Sequence, residues 1–116
     1  MTVKEFYDTI GGDYAKAKDT LYSDQFISGL LKKFLMGNYY NGLIRANALK
    51  DVTEIFNVTH TLKGVAGNLS LTPLYTKASA ICEATRGKTG GVDVSKEMDD
   101  LIETCLFVIK RIEEIE

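Results

Sequence analysis

Apolar side chains recur along most of this chain at steps of three and four, the spacing of a helix face rather than the alternation of a strand. The clearest case is SKEMDDLIETCLFVIKRIEEIE, from Ser95 onward. There Met98, Leu101, Ile102, Cys105, Val108, Ile109, Ile112 and Ile115 form one stripe flanked by Glu, Asp and Lys. Ser95 is the expected N-cap, with Asp93 as its rival. Upstream, TPLYTKASAICEATRG opens with Thr72 as N-cap and Pro73 as first helical residue, and Gly87 supplies the stop. Its inward positions are Leu74, Ala78, Ile81 and Thr85, with Cys82 at their flank. A further helix is expected from Asp51 to about Leu69, since Asp51 and Glu54 have capping-box spacing. Residues 23–50 are helical too, with Phe26, Leu30, Phe34, Ile44 and Ala48 inward. Gly37, Asn38 and Gly42 kink or split that stretch. Residues 1–22 hold two short helices separated at Gly11 and Gly12.

Helices with short connections and one apolar stripe each predict an all-α fold. The expected architecture is an antiparallel four-helix bundle over 23–116, with 1–22 as short N-terminal capping helices, the whole chain 1–116 being one domain. Phe6, Tyr7, Tyr39 and Tyr40 read as core or end-packing residues. Composition agrees with a packed chain: 45% of residues are hydrophobic and 26% charged, which argues against disorder. The net charge of -2 and the lack of a basic tract argue against nucleic acid or a membrane surface as partner. No apolar run approaches the roughly 20 residues that span a bilayer. The segment MTVKEFYDTI lacks the apolar centre of a secretion signal, so a cytoplasmic location is expected; the expected state is a monomer. Cys82 and Cys105 lie on inward stripes and read as reduced core thiols.

The chain has one histidine, His60, in VTHTLKGVAGNL. On a wheel of about 100° per residue, Ile55, Val58, Leu62, Val65 and Leu69 fall within about 40° of the direction opposite it. That stripe faces the core, so His60 is expected to face solvent. Gly64, Gly67, Lys63 and Phe56 share the outer side with it. Each glycine costs roughly 0.8–1 kcal/mol relative to Ala in a helix interior. Glycines placed for helix packing would lie on the core side. The expectation is therefore that both keep the backbone near His60 open to a second molecule. An exposed imidazole is a competent nucleophile, and the Lys63 ammonium would offset an added phosphoryl charge. Phe56 is expected to belong to a docking patch. Metal binding is poorly supported, because a zinc site needs three or four ligands and no second histidine is available.

HTLKGVAGNLSL resembles the signature of the histidine-containing phosphotransfer (HPt) domain family, His-x-Leu-Lys-Gly-x-x-x-x-Leu-Gly. His60, Leu62, Lys63, Gly64 and Leu69 match it, and Gly67 and Asn68 resemble a common subset of the family. The order of helices from about Ser23 to the C-terminus is similar as well. Two positions depart: Ser70 replaces the final glycine, which bears on where the helix ends, and Thr59 replaces a frequent Ala and would crowd the ring.

The resemblance implies a four-helix bundle that works as a phosphorelay phosphocarrier. His60 would be the phosphoacceptor, taking the group from an aspartyl phosphate on a response-regulator receiver domain or hybrid histidine kinase and passing it to another receiver. Lys63 would assist, and Phe56, Gly64, Gly67 and Asn68 would form the partner face. No cofactor of its own is expected, with magnesium held by the partner receiver. Nor is enzymatic machinery expected, since the chain has no phosphate-cradling G-x-x-x-x-G-K-[ST] loop. The alternative is a docking module that binds a receiver or kinase through the same face without being phosphorylated. A metal- or thiol-based enzyme would require a cysteine beside His60.

Overall fold

A computed structural model describes residues 1–116. It contains seven α-helices and no strand: α1 (Val3–Ile10), α2 (Tyr14–Leu21), α3 (Asp24–Leu35), α4 (Tyr39–Leu49), α5 (Val52–Asn68), α6 (Thr72–Thr85) and α7 (Ser95–Glu113). The last four form a closed ring in which α5 packs on α4 and α6, and α7 packs on both α4 and α6. Their directions follow from individual contacts. Lys77 of α6 reaches Asp100 and Thr104 of α7, and Asn47 near the end of α4 donates to Asp99 near the start of α7. Consecutive helices joined by short connections thus run antiparallel, as in an up-down bundle.

The bundle is narrower in sequence than residues 23–116. The 23–50 stretch splits at Met36–Asn38, where Asn38 takes a left-handed conformation at φ 56°. Gly37 is required there, because any side chain would collide with the Tyr39 ring. Gly42 is not part of the break and lies within α4, over Val58. After the split, α3 packs with α1, α2 and α7 rather than standing as a bundle wall. Its buried stripe is Ile27, Leu31 and Phe34, with Leu30 half-buried and Phe26 53% exposed. In α4 the buried residues are Leu43 and Ala46, while Ile44 and Ala48 face out. Phe34 is inward as expected, while the buried rows are otherwise offset by one or two positions from Phe26, Leu30, Ile44 and Ala48. Candidate rows in a short helix have similar spacing, and only the neighbouring helices decide between them.

Helices α6 and α7 match their expected faces. Leu74, Ala78, Ile81, Cys82 and Thr85 are buried in α6. In α7, Met98, Leu101, Cys105, Val108 and Ile112 are buried, with Ile102 and Ile109 packed at the margin. Cys82 and Cys105 are free and buried, and burial pushes the Cys105 thiol up to about 12. Helix starts are less regular. Thr72 is the first residue of α6 and makes no capping bond, and Pro73 follows it. At α7 the rival supplies the anchor: Asp93 Oδ1 accepts from the Ser95 amide at 3.0 Å and hydroxyl at 2.6 Å. Those two bonds hold the Asp93 carboxyl below its usual range.

The N-terminal helices close one end of the bundle. α1 begins with a reciprocal capping box between Thr2 and Glu5 and ends in left-handed Gly11. Phe6 and Tyr7 are fully buried, and the Tyr7 hydroxyl donates to the Leu69 carbonyl at 2.6 Å. The Asp13 amide donates to the Ser70 carbonyl at 3.1 Å. The exit of α5 is thus satisfied by groups from α1 and the α1–α2 turn.

Candidate functional site

Asp51 starts α5 by accepting at Oδ1 from the amides of Thr53 and Glu54. The Glu54 side chain does not return the bond that a full capping box requires. The inner face of the helix consists of Val52, Ile55, Thr59, Leu62 and Ala66, with Leu69 buried just beyond its end. Val58 and Val65 flank that face instead of centring it. Thr59 does not crowd the imidazole: it is fully buried, and its hydroxyl donates to the Ile55 carbonyl at 2.7 Å. His60 is exposed on the outer side.

The helix end settles the role of Ser70. Its amide bonds to the Gly67 carbonyl at 3.2 Å, and the Leu71 amide bonds to the Ala66 carbonyl at 2.9 Å. That pair of bonds is a Schellman stop, with Ser70 at the left-handed position, φ 56°. The helix ends where a glycine would end it, in a conformation that costs a residue bearing a Cβ more than it costs Gly.

α5 and α6 form an antiparallel pair, shown by two contacts at opposite ends. Gly67, near the end of α5, lies under the ring of Tyr75, near the start of α6. Phe56, early in α5, lies beneath the guanidinium of Arg86, just past the end of α6, at 5.2 Å. Between them, Lys63 Nζ stands 3.9 Å from Glu83 Oε1. Arg86 holds the same carboxylate at 3.0 Å. The bonds and charge of Arg86, with a smaller contribution from the charge of Lys63, keep the Glu83 carboxyl below its usual range, and Glu83 in turn raises Arg86. Phe56 completes the group. Its ring is half-buried and tilted against the His60 ring at a centroid distance of 5.6 Å.

The two glycines have different surroundings. A Cβ on Gly64 would meet nothing within 4 Å, so the backbone one turn beyond His60 is open. A Cβ on Gly67 would come within 3.2 Å of the Tyr75 ring. The expectation that both glycines keep the backbone open is therefore corrected for Gly67, whose missing side chain makes room for α6. Asn68 is exposed but turns away from the Phe56–Arg86 group. It lines a groove of about 310 Å³ with Leu21, Leu30, Lys33, Val65 and Leu69. Of the residues expected at the site, Phe56 and Lys63 gather with His60 on the α6 side and Gly64 stays bare beside them.

Glu83, Arg86 and Tyr75 were not anticipated. Tyr75, Ser79, Cys82 and Arg86 follow steps of four, three and four along one flank of α6. In an antiparallel pair that flank faces α5, so the signal lay in combining two helices rather than reading either alone.

The structure is thus a helical bundle with an exposed imidazole, an open backbone one turn beyond it, and an aromatic ring that packs on it from beneath an arginine. The chain matches the Hpt domain family over residues 29–112, most of its length, and it belongs to that family. Hpt domains serve histidine phosphotransfer in phosphorelay signalling, as phosphocarriers rather than enzymes, and interact with response-regulator receivers. Comparison with curated proteins and with solved structures gives no significant match. No helix is long and apolar enough to cross a membrane.

Proposed function

We propose that His60 is the phosphoacceptor and that it takes its phosphoryl group from the aspartyl phosphate of a receiver domain. The observation that carries this reading is the exposed His60 ring next to an open Gly64 backbone in a member of the Hpt family. The Nε2 lone pair attacks the phosphorus, the N–P bond forms, and the acyl O–P bond breaks with its electrons returning to the receiver's carboxylate. Acyl phosphate and phosphoimidazole are both high-energy groups, so the transfer is reversible and a second receiver can collect the group. Magnesium stays with the receiver, where it neutralises charge on the phosphoryl oxygens. Lys63 and Arg86 add positive charge on this side of the interface. Gly64 lets the receiver's surface approach the helix backbone, and Phe56 fixes the imidazole by packing against it.

Phosphoryl transfer from a labelled receiver to the wild-type protein and to His60→Gln tests the reading. Label on the wild type and none on the variant is expected. Equal labelling of both would contradict the assignment.

A further inference from the structure

Glu83 is an acidic side chain in a place where the proposed chemistry adds negative charge. It accepts from Arg86 Nη2 at 3.0 Å and Nε at 3.3 Å, and Lys63 Nζ stands 3.9 Å away. Arg86 also lies over Phe56, which packs on His60. Lys63 thus sits one turn beyond His60 on α5, Arg86 lies on the ring that packs against the imidazole, and both cations are engaged by one carboxylate. The Arg86–Glu83 pair is solvent-exposed, at 51% and 60% side-chain exposure, and Lys63 is half-buried at 28%. Exposed pairs of this kind are weak and exchange partners readily. A phosphoryl group offers more charge and more acceptor oxygens than a carboxylate, and the guanidinium fork matches either.

We propose that Glu83 is a placeholder anion. It holds Lys63 and Arg86 beside unmodified His60 and yields them to the phosphoryl group, and so sets how long the phosphohistidine lasts. This rests on His60 being the phosphoacceptor. Glu83 acts through the two cations and is a positioning residue.

The test needs no cognate receiver. Phosphoramidate phosphorylates imidazole directly: its P–N bond breaks, ammonia leaves, and the phosphorus bonds to the ring nitrogen. Wild type, Glu83→Gln, Glu83→Asp, Lys63→Ala/Arg86→Ala and the combined triple variant are loaded this way. The reagent is then removed and the decay of phosphohistidine followed by phosphorus NMR. Loss of the group is faster when the ring is protonated, and cations freed from Glu83 oppose that protonation. Glu83→Gln is therefore expected to lengthen the half-life about two- to fivefold. Glu83→Asp should stay near wild type, and Lys63→Ala/Arg86→Ala should shorten it. Adding Glu83→Gln to the double variant should change nothing, because the groups it acts through are gone. In the wild type, the Arg86 Nε resonance should move on phosphorylation.

An unchanged half-life in Glu83→Gln overturns the inference alone, as does equal lengthening in the double-variant background. A wild type that takes no phosphoryl group at His60 overturns the acceptor assignment and this inference with it.

Discussion

Gly64 and Gly67 lie within one turn of the same helix, yet their surroundings are opposite. Around Gly64 the outer surface of α5 is bare, and a Cβ would enter open space. Around Gly67 the helix is already covered, because Tyr75 of α6 lies against the backbone. One turn further on, the helix exit is tied down by the Tyr7 hydroxyl, the Asp13 amide and the Ser70 stop. So α5 has an open middle, where a partner can approach His60, and a closed end, where the rest of the chain fixes its position. A site that meets a second protein needs both: access at the reacting atom and a rigid mount behind it.

The largest expected effect lies on the buried side of the open turn. Leu62 is fully buried, and Leu62→Ala should destabilise the protein by about 2–5 kcal/mol in chemical denaturation. The closed end comes next. Tyr7→Phe leaves the Leu69 carbonyl without its buried partner and should cost about 1–3 kcal/mol, with phosphoryl transfer at saturating receiver unchanged. This end also has a pH signature. Burial pushes the Tyr7 phenol above its ordinary value of 10.0. Below that value both states keep the proton. As pH rises past it the unfolded phenol ionises while the folded one does not, and stability falls. Denaturation midpoints measured from neutral to alkaline pH should decline less steeply in Tyr7→Phe than in wild type.

Substituting the two glycines sharpens the contrast directly. Gly64→Ala should stabilise the fold by roughly 0.8–1 kcal/mol, the helix-propensity difference, while slowing transfer from a receiver. Gly67→Ala gains the same propensity but must displace the Tyr75 ring, so its net gain should be smaller and transfer should be little affected. Introducing Gly67→Ala into a Tyr75→Ala background should bring its gain up to that at Gly64. Equal gains for both glycines in the wild-type background would remove the distinction between the open middle and the closed end.

The open middle was largely legible in the sequence, and the closed end was not. His60 could be placed outward because Ile55, Leu62 and Leu69 recur at helical spacing opposite it, and a long periodic helix tolerates error in the centre of its stripe. That centre was in fact displaced toward Thr59 and Ala66. Thr59 resolves its own polarity by bonding to the Ile55 carbonyl, and so it packs inward although it reads as polar. The cover over Gly67 depends on which residue α6 brings there, and no property of α5 encodes it. Phe26 shows the same limit. Its row in α3 was as plausible as that of Ile27, and packing against α1 and α7 decided for Ile27. Glu83 and Arg86 have i,i+3 spacing at the end of α6, but their placement against Lys63 and Phe56 required the α5–α6 register.

A single-turnover balance tests the central claim most directly. A receiver labelled at its aspartyl phosphate is mixed with an equal amount of this protein, quenched over time, and both chains are assayed by acid and alkali stability and by peptide mapping. The account predicts that label leaves the receiver as it appears here, acid-labile and alkali-stable, on the peptide containing His60. Label on any other residue, or loss from the receiver as free phosphate with none captured, would contradict it.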